Sequence, residues 1–254
     1  MQQARKIYLL ILIFWSACIS INAQNNISFK VKHTTDFTIT GDGNEQEWNS
    51  TEWNTITQRS NEELQKANWY ITSEELTKKQ TQYQTQFKIL YSDKGIYCLY
   101  KCEDSTISCT LKEDFAALFK EDVVEAFFWP DTSRVIYFEY ELSPLNYELP
   151  LIIFNDKGNT SGWLPFYYRG QRKTNHAVEI NTNKTSAGRF TWTAEFFIPY
   201  ALITSLKNVP PQKGTQWRAN FYRIDYDNGI NYSSWQLTQN DFHDYARFGV
   251  IEFD

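Results

Sequence analysis

Apolar and polar positions alternate with a period of two through seven stretches of the chain: FKILYS (87–92), GIYCLYKC (95–102), VVEAFFW (123–129), VIYFEYEL (135–142), FTWTAEFFI (190–198), WRANFYRID (217–225) and FGVIEF (248–253). Each is rich in β-branched or aromatic residues, and turn clusters such as SDKG, WPDTS, NDKGN and DNGIN separate them, so strands are predicted at a cadence suited to a sandwich or barrel. Helical signals are confined to SNEELQKA (60–67), with Ser60 as N-cap, and PYALITSL (199–206), with Pro199 at a helix start. The expectation is an all-β chain, a single β-sandwich with one or two short helices, with no internal repeat and no interdomain linker. NVPPQKG (208–214) reads as a rigid surface turn.

The first residues depart from this pattern. Arg5 and Lys6 precede an unbroken apolar run from Ile7 to Trp15 and then small residues up to Ala23. That layout predicts a cleaved signal peptide over residues 1–23, too short to span a bilayer, which needs about 20 apolar residues. Residues 24–254 would form the mature domain, secreted, periplasmic or held at the cell envelope. Cys18 after Ser16 and Ala17 leaves a lipid anchor as an alternative, although Trp15 stands where a Leu-like residue is usual. Loss of Arg5 and Lys6 leaves 23 basic residues against 30 acidic, a net charge of −7. With no basic stripe, nucleic acid is not an expected partner.

Aromatic residues make up 17% of the chain, more than a core of this size needs. The stretch GWLPFYYRG (162–170) places four rings between two glycines and reads as a loop that displays them, with Trp163, Tyr167 or Tyr168 offered for stacking. The alternative is that Trp163 anchors the loop against the sandwich edge with Phe166. Glu139 and Glu141 share one strand face, with Glu125 expected on a neighbouring strand. Cys98 and Cys102 lie about 13 Å apart along their strand, too far for a disulfide, whereas Cys102 and Cys109 could close a short loop. Five Asn-x-Ser/Thr sequons occur, at Asn26, Asn49, Asn159, Asn183 and Asn231.

FTITGDGNEQEWNS, KILYSDKGIYCLYKCED, KEDVVEAFFWPD, FEYELSPLN, WTAEFFIPYALI, WRANFYRID and DFHDYARFGVIEF follow one another in a set order. Together, from about Phe37 to Phe253, they resemble the family 9 carbohydrate-binding modules, in particular the stand-alone secreted members from bacterial envelopes. The resemblance implies a jelly-roll or DOMON-like sandwich that binds oligosaccharide or polysaccharide between two aromatic side chains without catalysis, in support of polysaccharide breakdown. Carried over by position, the rings are Phe119 and Phe242, where tryptophan is common in the family, and Glu125 accepts hydrogen bonds from sugar hydroxyls. Glu139, Asn220, His243 and Trp163 complete the candidate sugar-binding set. The resemblance also implies acids that hold a structural calcium, for which Asp42 and Asp122 are the candidates. Related haem domains use Met or His ligands, but the only methionine is Met1, lost with the signal. The protein is expected to be monomeric.

Two other readings stay open from the residues themselves. Paired carboxylates, Glu125 with Glu139 or Glu195, suit a glycoside hydrolase, and an exposed aromatic loop suits docking to a protein partner. Arg218 and Arg223 are expected to pair with these acids.

Overall fold

The computed structural model describes residues 28–156 and 159–254. The signal segment, Cys18, Ala23 and Asn26 lie outside the described residues. Thirteen strands follow in chain order: β1 (Ser28–His33), β2 (Asn54–Gln58), β3 (Thr85–Tyr91), β4 (Gly95–Asp104), β5 (Val123–Trp129), β6 (Ile136–Leu142), β7 (Glu148–Asp156), β8 (Asn159–Pro165), β9 (Asn175–Asn181), β10 (Phe190–Pro199), β11 (Gln216–Asp225), β12 (Asn231–Ser234) and β13 (Gly249–Phe253). One half of the sandwich runs β8-β7-β6-β5-β11 and the other β3-β4-β10-β9. Two hydrogen-bonded seams join them, β11-β12-β2-β3 and β11-β13-β1-β3. All pairings are antiparallel except those of β1 with β13 and β3. The seven stretches of alternation all become strands, and the architecture is the expected all-β sandwich.

Period-two alternation decides what each face buries. Cys98, Tyr100 and Cys102 of β4, Val124, Ala126 and Phe128 of β5, and Trp192, Ala194 and Phe196 of β10 meet between the sheets in the main core. The opposite faces are apolar too, which is why the strands read as nearly continuous hydrophobic runs. Behind β4, Tyr97 and Leu99 pack with Trp48 under the segment that leads from β1 to β2. Behind β5, β6, β7 and β11, a separate cluster of Val123, Phe127, Tyr137, Leu151, Ile153 and Tyr222 lies beneath Phe242 and Phe248. Gly249 is needed where Trp235 crosses, because a Cβ there would stand 2.2 Å from the indole ring.

Three short α-helices form rather than one or two. The first, α1 (Asn61–Lys66), has the expected Ser60 cap completed by Glu63 as a capping box, and α3 (Tyr200–Ile203) follows Pro199, which serves as its N-cap. Between them α2 (Ser73–Thr77) is capped by Thr72 and Glu75 in the same way, although it has no apolar stripe to announce it. The Cys102–Cys109 disulfide does not form: Cys102 points into the main core, while the Cys109 thiol donates to the Asp122 carbonyl at 3.3 Å. Of the sequons, Asn231 is buried and its amide is spent on the Asp225–Gly229 turn, whereas Asn49 and Asn183 are exposed.

Candidate functional site

Behind the β5-β6-β7 face is a cavity of about 420 Å³. The antiparallel register places Glu125 opposite Glu141 and Phe127 opposite Glu139, so three glutamates share this face with Leu151 and Ile153 of β7. One oxygen from each of Glu125, Glu139 and Glu141 lies within 4.8 Å of the others, and all three residues are buried. Both Glu141 oxygens and one of Glu139 have no hydrogen-bond partner. The cavity walls are aromatic: Trp69 and Tyr70 after α1, Phe119, Trp163 on β8, Tyr232 and Phe242.

Each wall is held by local chemistry. After α1, Asn68 adopts a left-handed φ of 61°, and the Asn68 and Trp69 amides donate back to the Gln65 and Leu64 carbonyls. This helix stop delivers Trp69 to the cavity, where its indole N–H donates to the Thr238 carbonyl at 3.0 Å. The 236–248 loop is fastened to the sheet from below. Asn220 donates to the Gln236 carbonyl and the Tyr222 hydroxyl, and Tyr222 in turn donates to the Phe242 carbonyl at 2.8 Å. Tyr137 meets His243 Nδ1 at 2.6 Å, and Asn155 donates to the His243 carbonyl. Phe242 is thereby pressed onto Tyr222, ring centroids 3.9 Å apart, and its ring is edge-on to Trp69 at 5.1 Å.

Six of the seven candidate sugar-binding residues, Phe119, Glu125, Glu139, Trp163, Phe242 and His243, converge on this cavity. Asn220 does not line it; the residue lies on the same sheet face but is buried under the 236–248 loop that it secures. Phe242, carried over from the family as a sugar-stacking ring, is only 7% accessible. The GWLPFYYRG stretch divides. Its first four residues form the end of edge strand β8, where Trp163 pairs with Ile153 and so faces the cavity, 48% exposed. Its rim partner Phe119 stands edge-on to it, with centroids 6.4 Å apart. Phe166 instead packs toward the main core against Phe138, so the two rings do not anchor one another.

The other candidates are employed elsewhere. Asp122 is buried and accepts from the Ser108 and Tyr226 amides, while Asp42 accepts from Thr40 and Asn44 in the half-buried Gly-Asp-Gly turn. The two acids share no partner, and among the described residues the one grouping of three potential metal ligands is the glutamate triad. Arg223 pairs with Asp104 and Asp225 rather than with the triad, and Arg218 donates to the Phe248 carbonyl at 2.7 Å. Glu195 sits behind the other sheet, accepting from the Thr40 and Gly41 amides and from Trp48, so it cannot act with Glu125. Trp69, Tyr70 and Tyr232 were not singled out from sequence; the ring pair directly after a capped helix was the available signal.

Burial pushes Glu139 up to about 8, and lifts Glu125 and Glu141 well above the ordinary carboxylate range, with mutual repulsion adding to both. Burial lowers His243. The raised carboxyls bind more protons folded than unfolded, so their contribution to stability is lost as pH rises. His243 and the carboxylates of Asp36, Asp42 and Asp131, which are held low, act in the opposite sense but below the ordinary histidine value of 6.5. Between pH 6.5 and 8 the stability is therefore expected to fall, at up to about 1.4 kcal/mol per pH unit for each proton released on unfolding, and the melting temperature with it. Thermal melts of the protein and of Glu139→Gln check this, the variant giving the flatter profile.

Comparison with known proteins bears on this site. Residues 60–253 match the model of carbohydrate-binding family 9. A protein of Arthroderma benhamiae named "Extracellular protein" is 29% identical over 150 residues, 55% of this chain and 63% of that protein, so under two thirds of its length is matched. Among solved structures, a Bacteroides uniformis protein assigned provisionally to carbohydrate binding superposes with a TM-score of 0.69 at 15% identity, covering 90% of this chain and 100% of that one. A family 9 module from Caldicellulosiruptor kristjanssonii, solved with cellotriose, superposes with a TM-score of 0.58 at 16% identity, over 90% of this chain and 94% of that one. Its glucose complex gives the same TM-score and identity, with 96% of that chain covered.

Proposed function

Because the chain belongs to carbohydrate-binding family 9, we propose that the aromatic-walled cavity behind β5, β6 and β7 holds a sugar unit without cleaving it. The observation that carries this reading is Trp163, half exposed beside Phe119 at the rim of a cavity floored by three carboxylates. A pyranose has a face of C–H groups that packs on a ring and hydroxyls that need fixed polar partners once water is displaced. Trp163 and Tyr70 supply the first, and Glu125 and Glu139 the second. A glycosidase places its two carboxyl groups on either side of the scissile bond. The triad approaches from the floor alone, since its members occupy one face of two neighbouring strands. Hydrolysis therefore has no geometric support here, and a reducing-end release assay is expected to stay at background.

The apolar run at residues 7–15 and the extracellular name of the fungal relative support export of the protein. Among the described residues no helix is long and apolar enough to cross a membrane. A secreted binder of this kind would hold polysaccharide for enzymes that degrade it.

Trp163→Ala is the direct test. Calorimetry against a panel of oligosaccharides is expected to show binding weakened about tenfold, the loss of one stacking contact of about 1–1.5 kcal/mol. The melting temperature should stay unchanged, because the ring is half in solvent. Unchanged affinity in the variant would remove Trp163 from the site, and a wild-type protein that binds no sugar in the panel would remove the reading.

A further inference from the structure

The geometry points to an amino sugar as the ligand: a hexosamine unit whose free ammonium group sits on the tripod of Glu125, Glu139 and Glu141, an assignment that rests on the sugar-binding reading above. One oxygen from each glutamate lies within 4.8 Å of the other two. An ammonium group has three N–H donors in tetrahedral directions, and charge-assisted bonds of about 2.8 Å would place their acceptors about 4.6 Å apart. The triad, with its three oxygens inside 4.8 Å of one another, is compact enough for one such group to reach all three.

The state of the oxygens is an independent observation. Glu141 is 0% and Glu139 4% exposed, yet both oxygens of the first and one of the second have no partner, and both residues line the cavity. Buried polar atoms are almost always satisfied, so partnerless ones facing an open cavity mark where a ligand's donors belong. No lysine or arginine lines the cavity. Lys120 lies over the Phe119 ring, 5.9 Å from its centroid, but is itself exposed and outside the lining. Arg223 is committed to Asp104 and Asp225. The other titratable groups around the triad are the tyrosines Tyr70, Tyr137, Tyr222, Tyr226 and Tyr232, with His243 and Asp241 on the covering loop, none of them a fixed cation.

The walls decide between kinds of cation. Calcium wants six to eight oxygens. Outside the triad the side-chain oxygens of the lining are those of Asn240 and Asp241 at the exposed rim and the tyrosine hydroxyls. Trp69, Phe119 and Trp163 instead offer aromatic rings, which attract an organic cation and pack against a sugar ring. An ammonium group supplies the counter-charge that lets these buried carboxyls ionise, whereas a neutral sugar could hydrogen-bond to them but would leave them protonated.

The test is calorimetry at pH 7 on EDTA-treated protein. Glucosamine, galactosamine and mannosamine are each titrated beside their neutral and N-acetylated counterparts. For at least one of the three series the free amine is expected to bind about tenfold tighter than both counterparts, and Glu141→Gln should bring the three affinities together while neutral-sugar binding persists. If the variant fails to fold, the comparison within the wild-type protein decides. Binding of neutral sugars at equal or greater affinity than of the amines overturns the amine assignment and leaves the sugar-binding reading standing. Absence of binding to every sugar overturns both. Calcium that binds wild type but not Glu141→Gln, with no preference for amines, overturns the assignment in favour of a metal site.

Discussion

Phe242→Ala is expected to cost about 3–5 kcal/mol of stability as well as weakening sugar binding, the range for removing a buried phenylalanine. The ring is 7% exposed and stacks on Tyr222, with Trp69 and Tyr232 edge-on at 5.1 and 5.7 Å. Its removal leaves a void at the junction of three elements: β11, the end of α1 and the 236–248 loop. The loop's fastenings to Asn220, Tyr222 and Asn155 through its backbone, and to Tyr137 through the His243 ring, would remain, so the variant should fold but melt well below wild type. Urea unfolding followed by tryptophan fluorescence measures the loss. A melting temperature within a few degrees of wild type would place the ring at the surface instead. The contrast with Trp163→Ala, in which affinity falls and stability does not, separates the wall that builds the cavity from the wall that offers itself to ligand.

Arg223→Met should destabilise the protein by a similar amount, about 3–5 kcal/mol, for an electrostatic reason. Arg223 is 1% exposed at the end of the main core, and its guanidinium donates to Asp104 and Asp225, to the Glu103 carbonyl and to Thr85. Asp104 and Asp225 are 0% and 3% exposed, so a neutral residue at 223 leaves two buried carboxylates without their counter-charge. The guanidinium also lies near the Tyr83 and Trp192 rings, 5.5 and 5.7 Å from their centroids, contacts that methionine only partly replaces. Because Arg223 faces away from the triad, the folded fraction of the variant should bind sugar with wild-type affinity. Denaturation and calorimetry on the same sample check both halves. Replacing Asp104 and Asp225 with asparagine in the Arg223→Met background should recover part of the stability, since it removes the stranded charges.

Within-strand alternation was legible in the sequence because it is local. A period of two put Glu139 and Glu141 on one face and Val124, Ala126 and Phe128 on another wherever the strands came to lie, and the cap at Ser60 needed only its neighbour Glu63. The order of motifs from Phe37 to Phe253 carried the family and with it Phe119, Glu125 and Phe242 as candidates. Strand β8 was missed because Pro165 and the crowd of rings read as loop, although pairing with β7 is what aims Trp163 at the cavity.

What only the tertiary structure decided is which faces are covered, and by what. A polar strand face written E-Y-E is the same in sequence whether water or a loop lies over it. The 236–248 loop and the end of α1, distant in the chain, meet over β5 and β6, joined by the Asn240 amide donating to the Ala67 carbonyl at 2.9 Å. That meeting turns Glu125, Glu139 and Glu141 from a solvated stripe into a buried triad and sinks Phe242 beneath the surface. It also leaves Asn220 as a fastening rather than a contact. The sequence by itself set the directions of side chains, since backbone geometry is local; long-range packing set their accessibility, since burial is a property of what else arrives.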